Sequence, residues 1–131
     1  MKIAVITDDE QTISRHFGRA PYYLVVTIED GRIIDQQRRG KLSHTHFANE
    51  PHNHQLGERH GFDPVAQDRH AQMAEAINDC EVLICGGMGA GAYQSMQARG
   101  IRPIVTGLES IDEAIRAYLE GSLIDQVERL H

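Results

Sequence analysis

Glu81-Val82-Leu83-Ile84-Cys85, followed directly by Gly86-Gly87-Met88-Gly89-Ala90-Gly91-Ala92, is the stretch that decides the fold. A short apolar run that ends in turn residues is a buried strand of the kind found in parallel sheets. The glycine-rich turn then opens a helix that reaches Arg99, and Gly100 stands where a helix-ending glycine belongs. Ile101 to Thr106 follows as another strand. Its Pro103 cannot donate to a ladder, so this strand is expected at a sheet edge. Strand, helix and strand in this order cross over right-handedly and leave the two strands parallel.

Working outward, Lys2 to Thr7 is a continuous apolar run and reads as a central parallel strand. Asp8 to Pro21 reads as a loop with a single helical turn around Ser14 to Gly18. Tyr22 to Glu29 and Arg32 to Gln37 flank Asp30-Gly31, a dipeptide suited to the positive φ angles of a type I′ hairpin turn. Residues 39–62 lose all periodicity, which in a small domain marks a functional or unstructured segment. Asp63-Pro64 starts a helix, with Ala66, His70, Met73 and Ile77 on its apolar side and Asp68, Arg69 and Glu75 facing out. Ser110 and Glu113 form a capping box for a last helix whose stripe is Ile111, Ala114, Ile115, Tyr118 and Leu119. The residues after Gly121 are expected as a short extra strand or turn. The fold expected is a single α/β domain over residues 1–131. Its five-stranded mixed sheet has the order 3-2-1-4-5, with strand two antiparallel.

Composition limits the function classes. With 131 residues and 40% hydrophobic content the chain suits one domain with a modest core, built mainly from aliphatic side chains because Trp is absent. No run approaches the ~18 apolar residues of a membrane span, and the N-terminal run is too short for a signal peptide, so a cytoplasmic protein without a membrane partner is expected. A net charge of −6 argues against nucleic acid, and the basic run Arg38-Arg39-Gly40-Lys41 reads as a solvated strand end. Cys80 and Cys85 fall at opposite ends of strand four, five positions apart, so they are expected on opposite faces and unable to form a disulfide.

Histidine is over-represented. Eight occur in the chain, and six of them, His44, His46, His52, His54, His60 and His70, lie within one segment. Neutral imidazole is the commonest metal ligand near pH 7 and suits Zn, Cu, Ni and Fe. Two His-x-His pairs on one loop can converge on an ion, although the spacing matches no fixed finger pattern. His70 lies on an apolar helix face and fits a core histidine as well as a ligand. The expected strand order brings His16, the histidine-rich loop and the glycine turn to one edge of the sheet, at the switch point where open α/β sheets bind ligands. The backbone amides of Gly87, Gly89 and Gly91 suit an anion, helped by the helix dipole, and the same glycines serve a tight turn equally well. Cys85 can act as a thiolate ligand or as a small hydrophobe. Asp8 and Asp9 can bind a cation or cap the next turn.

Ile13-Ser14-Arg15-His16-Phe17-Gly18-Arg19-Ala20-Pro21-Tyr22-Tyr23, then Cys85 to Tyr93, then the Ser110 to Gly121 ending resemble the dinitrogenase iron–molybdenum cofactor biosynthesis family. The resemblance implies a three-layer α/β/α, ribonuclease-H-like fold and a non-catalytic binder of an iron–sulfur or iron–molybdenum cofactor or its precursor. It also implies cofactor-synthesis or acceptor proteins as partners. His16 occupies the family's His-Phe-Gly position, and Arg19 is placed to pair with the same anionic cargo. Two other functions compete with this one. One is a Zn, Ni or Cu buffer or sensor working through the histidine-rich loop. The other is a metal-dependent phosphoester hydrolase, for which Asp8, Asp9, Asp63 and Glu109 are a sparse supply of carboxylates.

Overall fold

A computed structural model describes residues 1–40 and 72–130 of the chain. Its elements are β1 (Lys2–Thr7), β2 (Tyr22–Glu29), β3 (Arg32–Gly40), β4 (Val82–Cys85), α1 (Ala90–Ala98), β5 (Arg102–Val105), α2 (Ile111–Leu119) and a 3₁₀ turn at Val127–Arg129. The sheet order is β3-β2-β1-β4-β5. β1 runs parallel to β4 and β4 to β5, whereas β2 is antiparallel to both β1 and β3. This is the α/β arrangement and strand order that the sequence predicts.

Asp30 and Gly31 have φ angles of 53° and 73°, the left-handed pair that a two-residue hairpin requires. β3 continues to Gly40, beyond the expected end at Gln37, and pairs with β2 as far as Tyr22↔Gly40. Its outer half carries no apolar signal because its side chains are held by charge. The Arg38 guanidinium lies 4.7 Å from the Tyr22 ring centroid, and that of Arg39 donates to Asp79 Oδ1 and Oδ2 at 2.6 and 2.8 Å. The basic run therefore starts inside the strand.

Alternation along β1 divides the core. Ala4 and Ile6 pack in a cluster with Met73, Ile77, Ala92 and Met96, while Ile3 and Val5 pack with Ile111, Ala114 and Ile115 of α2. Cys80 and Cys85 both belong to the first cluster, contrary to the expectation of opposite faces. Cys80 precedes β4 rather than forming its first residue, so strand alternation does not govern it. Both cysteines are free thiols.

Ser110 Oγ accepts from the Glu113 amide at 3.3 Å, which confirms that part of the capping box. Leu119 is 38% exposed, so the buried stripe of α2 stops before it. Residues 72–75 are helical, with Met73 and Ile77 buried and Glu75 exposed as the periodicity predicts. Ala66, Asp68, Arg69 and His70 lie outside the described residues. No helix among the described residues is long and apolar enough to cross a membrane.

The tail after Gly121 is not a further strand. The Gln126 amide donates to the Val105 carbonyl at 2.8 Å, and Asp125 Oδ1 accepts from the Val105 amide at 2.9 Å. Leu123 and Leu130 pack against different core clusters. These contacts cover part of the β5 edge.

Candidate functional site

Because β1, β4 and β5 are parallel, their C-terminal ends share one edge of the sheet. β3 ends at that edge and β2 begins there, as the aligned residues Thr7, Tyr22 and Gly40 show. The loop of residues 8–21 leaves β1 at this edge, and the glycine turn leaves the neighbouring β4.

The first part of the loop is fixed by its own side chains. Thr7 Oγ1 is buried, donates to the Thr12 carbonyl at 2.7 Å and accepts from the Glu10 amide at 2.9 Å. Asp9 Oδ1 accepts from the Thr12 and Gln11 amides at 2.8 and 2.9 Å, and from the Thr12 hydroxyl at 3.0 Å. These bonds, the Thr12 amide foremost, lower the Asp9 carboxyl to about 2. Asp9 therefore caps a turn, one of the two roles open to it from sequence. Glu10 adopts φ 65°, and its carboxylate faces Arg38 at 3.4 Å.

The second part is bound to the glycine turn. The Gly86 amide donates to the Ser14 carbonyl at 2.8 Å, and the Phe17 amide donates to the Gly87 carbonyl at 3.1 Å. A Cβ on Gly86 would stand 2.9 Å from the Ser14 carbonyl oxygen, so this approach excludes a side chain. Phe17 is buried in the same core cluster as Met88. Between these anchors the His16 amide donates to Ser14 Oγ at 3.2 Å, and its carbonyl accepts from the Arg19 and Ala20 amides at 3.1 and 3.0 Å. The expected single turn therefore spans residues 16–20, two positions later than 14–18. The backbone of His16 is thus fixed while the residue is exposed. Arg19 is also exposed, and its guanidinium has no ion pair among the described residues.

Helix α1 begins at this place without a cap. Gly89 at its N-cap offers no side-chain acceptor, and no acidic residue occupies its first turn. By contrast α2 carries Ser110, Asp112 and Glu113 at its start. The α1 start therefore presents backbone donors and the positive end of a helix dipole to whatever lies outside the turn. Gly89 and Gly91, named from sequence, fall within this segment, whereas the Gly87 amide, also named from sequence, is turned inward to the Cys85 thiol.

Cys85 faces inward. It is fully buried, and burial pushes its thiol up to about 12, opposed by a hydrogen bond from Gly87 and reinforced by the charge of Asp125. In this arrangement it is a protonated core thiol. His44, His46, His52, His54, His60 and His70 lie outside the described residues. Among the described residues no group of three or more His, Cys, Asp or Glu side chains could hold a metal ion. A polar groove of about 890 Å³ opens on the α2 side of the same edge, lined in part by Glu10, Thr12, Glu109 and Asp112. Its Glu109 carboxylate is already paired with Arg15 at 3.0 Å.

The matches to known proteins span nearly the whole chain. A family model described as dinitrogenase iron-molybdenum cofactor matches residues 1–121, which include the His16 loop and the glycine turn. The chain belongs to this family. An uncharacterized protein of Methanocaldococcus jannaschii, MJ0580, is 30% identical over 123 residues, covering 94% of this chain and 89% of that protein. Two solved structures share the fold. The protein PH0822 superimposes with a TM-score of 0.64 at 22% identity, covering 96% of this chain and 95% of the other. The apo form of the orange protein from Desulfovibrio gigas gives a TM-score of 0.62 at 21% identity, covering 93% and 89%.

Three site residues escape a reading of the sequence alone. Ser14 is one, although a serine two positions before the residue it bonds is the mark of a serine turn. Gly86 is another, hidden because it stands in a run of glycines. Tyr93 is the third. Its hydroxyl donates to Asp125 Oδ2, a residue 32 positions away that no local pattern connects to it.

Proposed function

We propose that this family member is a non-catalytic carrier that binds, stores or delivers an iron–sulfur, iron–molybdenum or related metal–sulfur cofactor or its precursor. The observation that carries the proposal is the pair of hydrogen bonds joining the His16 loop to the glycine turn. They hold the exposed residue His16 on a loop seated against the glycine turn that leads into the uncapped start of α1. Imidazole is a ligand for iron and copper, and backbone amides at a helix start stabilise sulfide or oxyanion charge. The guanidinium of Arg19 adds positive charge at the loop. His16 is a single donor, so the remaining ligands are assigned to the histidines between His44 and His70. Ligands from separate segments suit a cargo that must be both held and released. The fold is read further as a three-layer, ribonuclease-H-like domain, and cofactor-synthesis or acceptor proteins in the cytoplasm are the proposed partners.

The turn-capping role of Asp9 and the Arg15–Glu109 pair leave a two-metal hydrolase poorly supplied with carboxylates. The competing ion-buffer function is separated from the carrier by one substitution. Wild-type protein and His16→Ala are incubated anaerobically with iron, molybdate and sulfide, or in parallel with Zn, Ni or Cu, and then desalted. The carrier predicts that His16→Ala loses the sulfide-to-metal absorption that wild type retains. Equal retention of Zn, Ni or Cu by both proteins, with no iron or molybdenum held by either, would replace it with the buffer.

A further inference from the structure

The tail beyond Gly121 lies outside the family match yet makes specific polar contacts with the body of the domain. Asp125 is their centre. One carboxylate oxygen accepts from the Val105 backbone amide at 2.9 Å, and the other accepts from the Tyr93 hydroxyl. The next residue, Gln126, donates its amide to the Val105 carbonyl at 2.8 Å, so both polar groups of Val105 are engaged by the tail. Tyr93 belongs to the first turn of α1, and its own amide donates to the Gly89 carbonyl at 3.1 Å.

We propose that the C-terminal tail is a latch in which Asp125 ties the first turn of α1 to β5, making Asp125 a positioning residue for the amides of the glycine turn. The physical argument concerns preorganisation. α1 has no side-chain cap, its N-terminal stretch is rich in glycine, and glycine loses more conformational freedom on ordering than any other residue. Donors aimed at an anion act strongly only when they are held in place beforehand. A carboxylate bridging a tyrosine of the first turn to a strand amide supplies such a restraint.

For its ligand-binding arm the proposal rests on the carrier function, so the test has an arm that does not. In ligand-free protein, amide hydrogen exchange is compared for wild type, Tyr93→Phe and Asp125→Ala, with the volume-conserving Tyr93→Phe guarding against misfolding. Tyr93→Phe is expected to speed exchange at the amide of residue 93 by about fivefold, the factor that loss of one hydrogen bond brings, with β1 and β2 unchanged. Asp125→Ala should do at least as much there and also expose the Val105 amide. In the second arm tetrathiomolybdate is titrated into each protein, and both variants are expected to bind about fivefold more weakly. Unchanged exchange at residue 93 in Tyr93→Phe would overturn the latch. So would equal acceleration of all amides in both variants, and weakened exchange protection with undiminished tetrathiomolybdate binding would overturn the positioning role of Asp125. Failure of wild type itself to bind tetrathiomolybdate would remove the carrier function and the positioning role together, and leave the exchange arm to decide the latch alone.

Discussion

Gly86→Ala probes the contact between the two loops with a single methyl group. The added carbon would stand 2.9 Å from the Ser14 carbonyl oxygen, 3.1 Å from Arg15 Cα and 3.2 Å from Arg15 Cγ. Two of these atoms are backbone, so rotating a side chain cannot relieve the contact. The His16 loop must move away from β4, which lengthens the Gly86–Ser14 bond of 2.8 Å and the Phe17–Gly87 bond of 3.1 Å. Overpacking costs about 1–3 kcal/mol, and weakening of the two bonds brings the total to about 2–4 kcal/mol. For a domain of this size that is a fall in Tm of about 10 °C. Thermal unfolding by circular dichroism gives the shift, and the Phe17 amide resonance shows whether the loop has moved. Gly18→Ala is the control, because a Cβ there meets nothing within 4 Å. It should leave Tm unchanged or raise it slightly by restricting the unfolded chain. If Gly86→Ala unfolds within about 2 °C of wild type with an unshifted Phe17 amide, the loop is not seated on the glycine turn as described.

Other perturbations test separate parts of the account. Asp9→Asn keeps an oxygen acceptor but removes the negative charge of a carboxyl that lies at about 2, below its ordinary value. A depressed carboxyl contributes stability above its unfolded value and loses that contribution as pH falls through the folded one. The Tm difference between wild type and Asp9→Asn should therefore be present at pH 7 and shrink between about pH 4 and pH 2; a pH-independent difference would remove the turn-capping role. Burial pushes Cys80 up to about 11 and Cys85 up to about 12, so neither thiol should react with a chromogenic disulfide reagent at pH 8 until the protein unfolds. Rapid labelling that peptide mapping assigns to Cys85 in native protein would show that this thiol is presented outward. Tyr23→Phe deletes a fully buried hydroxyl that donates to the Met73 carbonyl at 3.0 Å, and should cost about 1–3 kcal/mol in denaturant unfolding because that carbonyl is left unpaired.

The strand order is legible in the sequence because each decisive signal is local. Asp30-Gly31 specifies a hairpin, the apolar runs at β1 and β4 specify burial on both faces, and Ser110 with Glu113 specifies a helix start. Long-range polar bonds are not legible in this way. The length of β3 depends on Arg39 meeting Asp79, 40 positions away, and the course of the tail depends on Asp125 meeting Val105. Cys80 shows the limit of alternation, which fails two residues outside a strand. His16 and the glycine turn could be assigned to one edge from topology alone. Their direct joining through Ser14 and Gly86 could not, because it depends on a backbone approach that leaves no mark beyond a glycine among glycines.

Carriage of a metal–sulfur cargo is decided by the metal and sulfide content of the wild-type protein. Purified protein is incubated anaerobically with iron, molybdate and sulfide, passed through a desalting column, and assayed for bound metal, sulfide and visible absorption. A carrier retains iron or molybdenum co-eluting with sulfide and shows a sulfide-to-metal absorption band. Protein that emerges without iron, molybdenum or sulfide would contradict the carrier function.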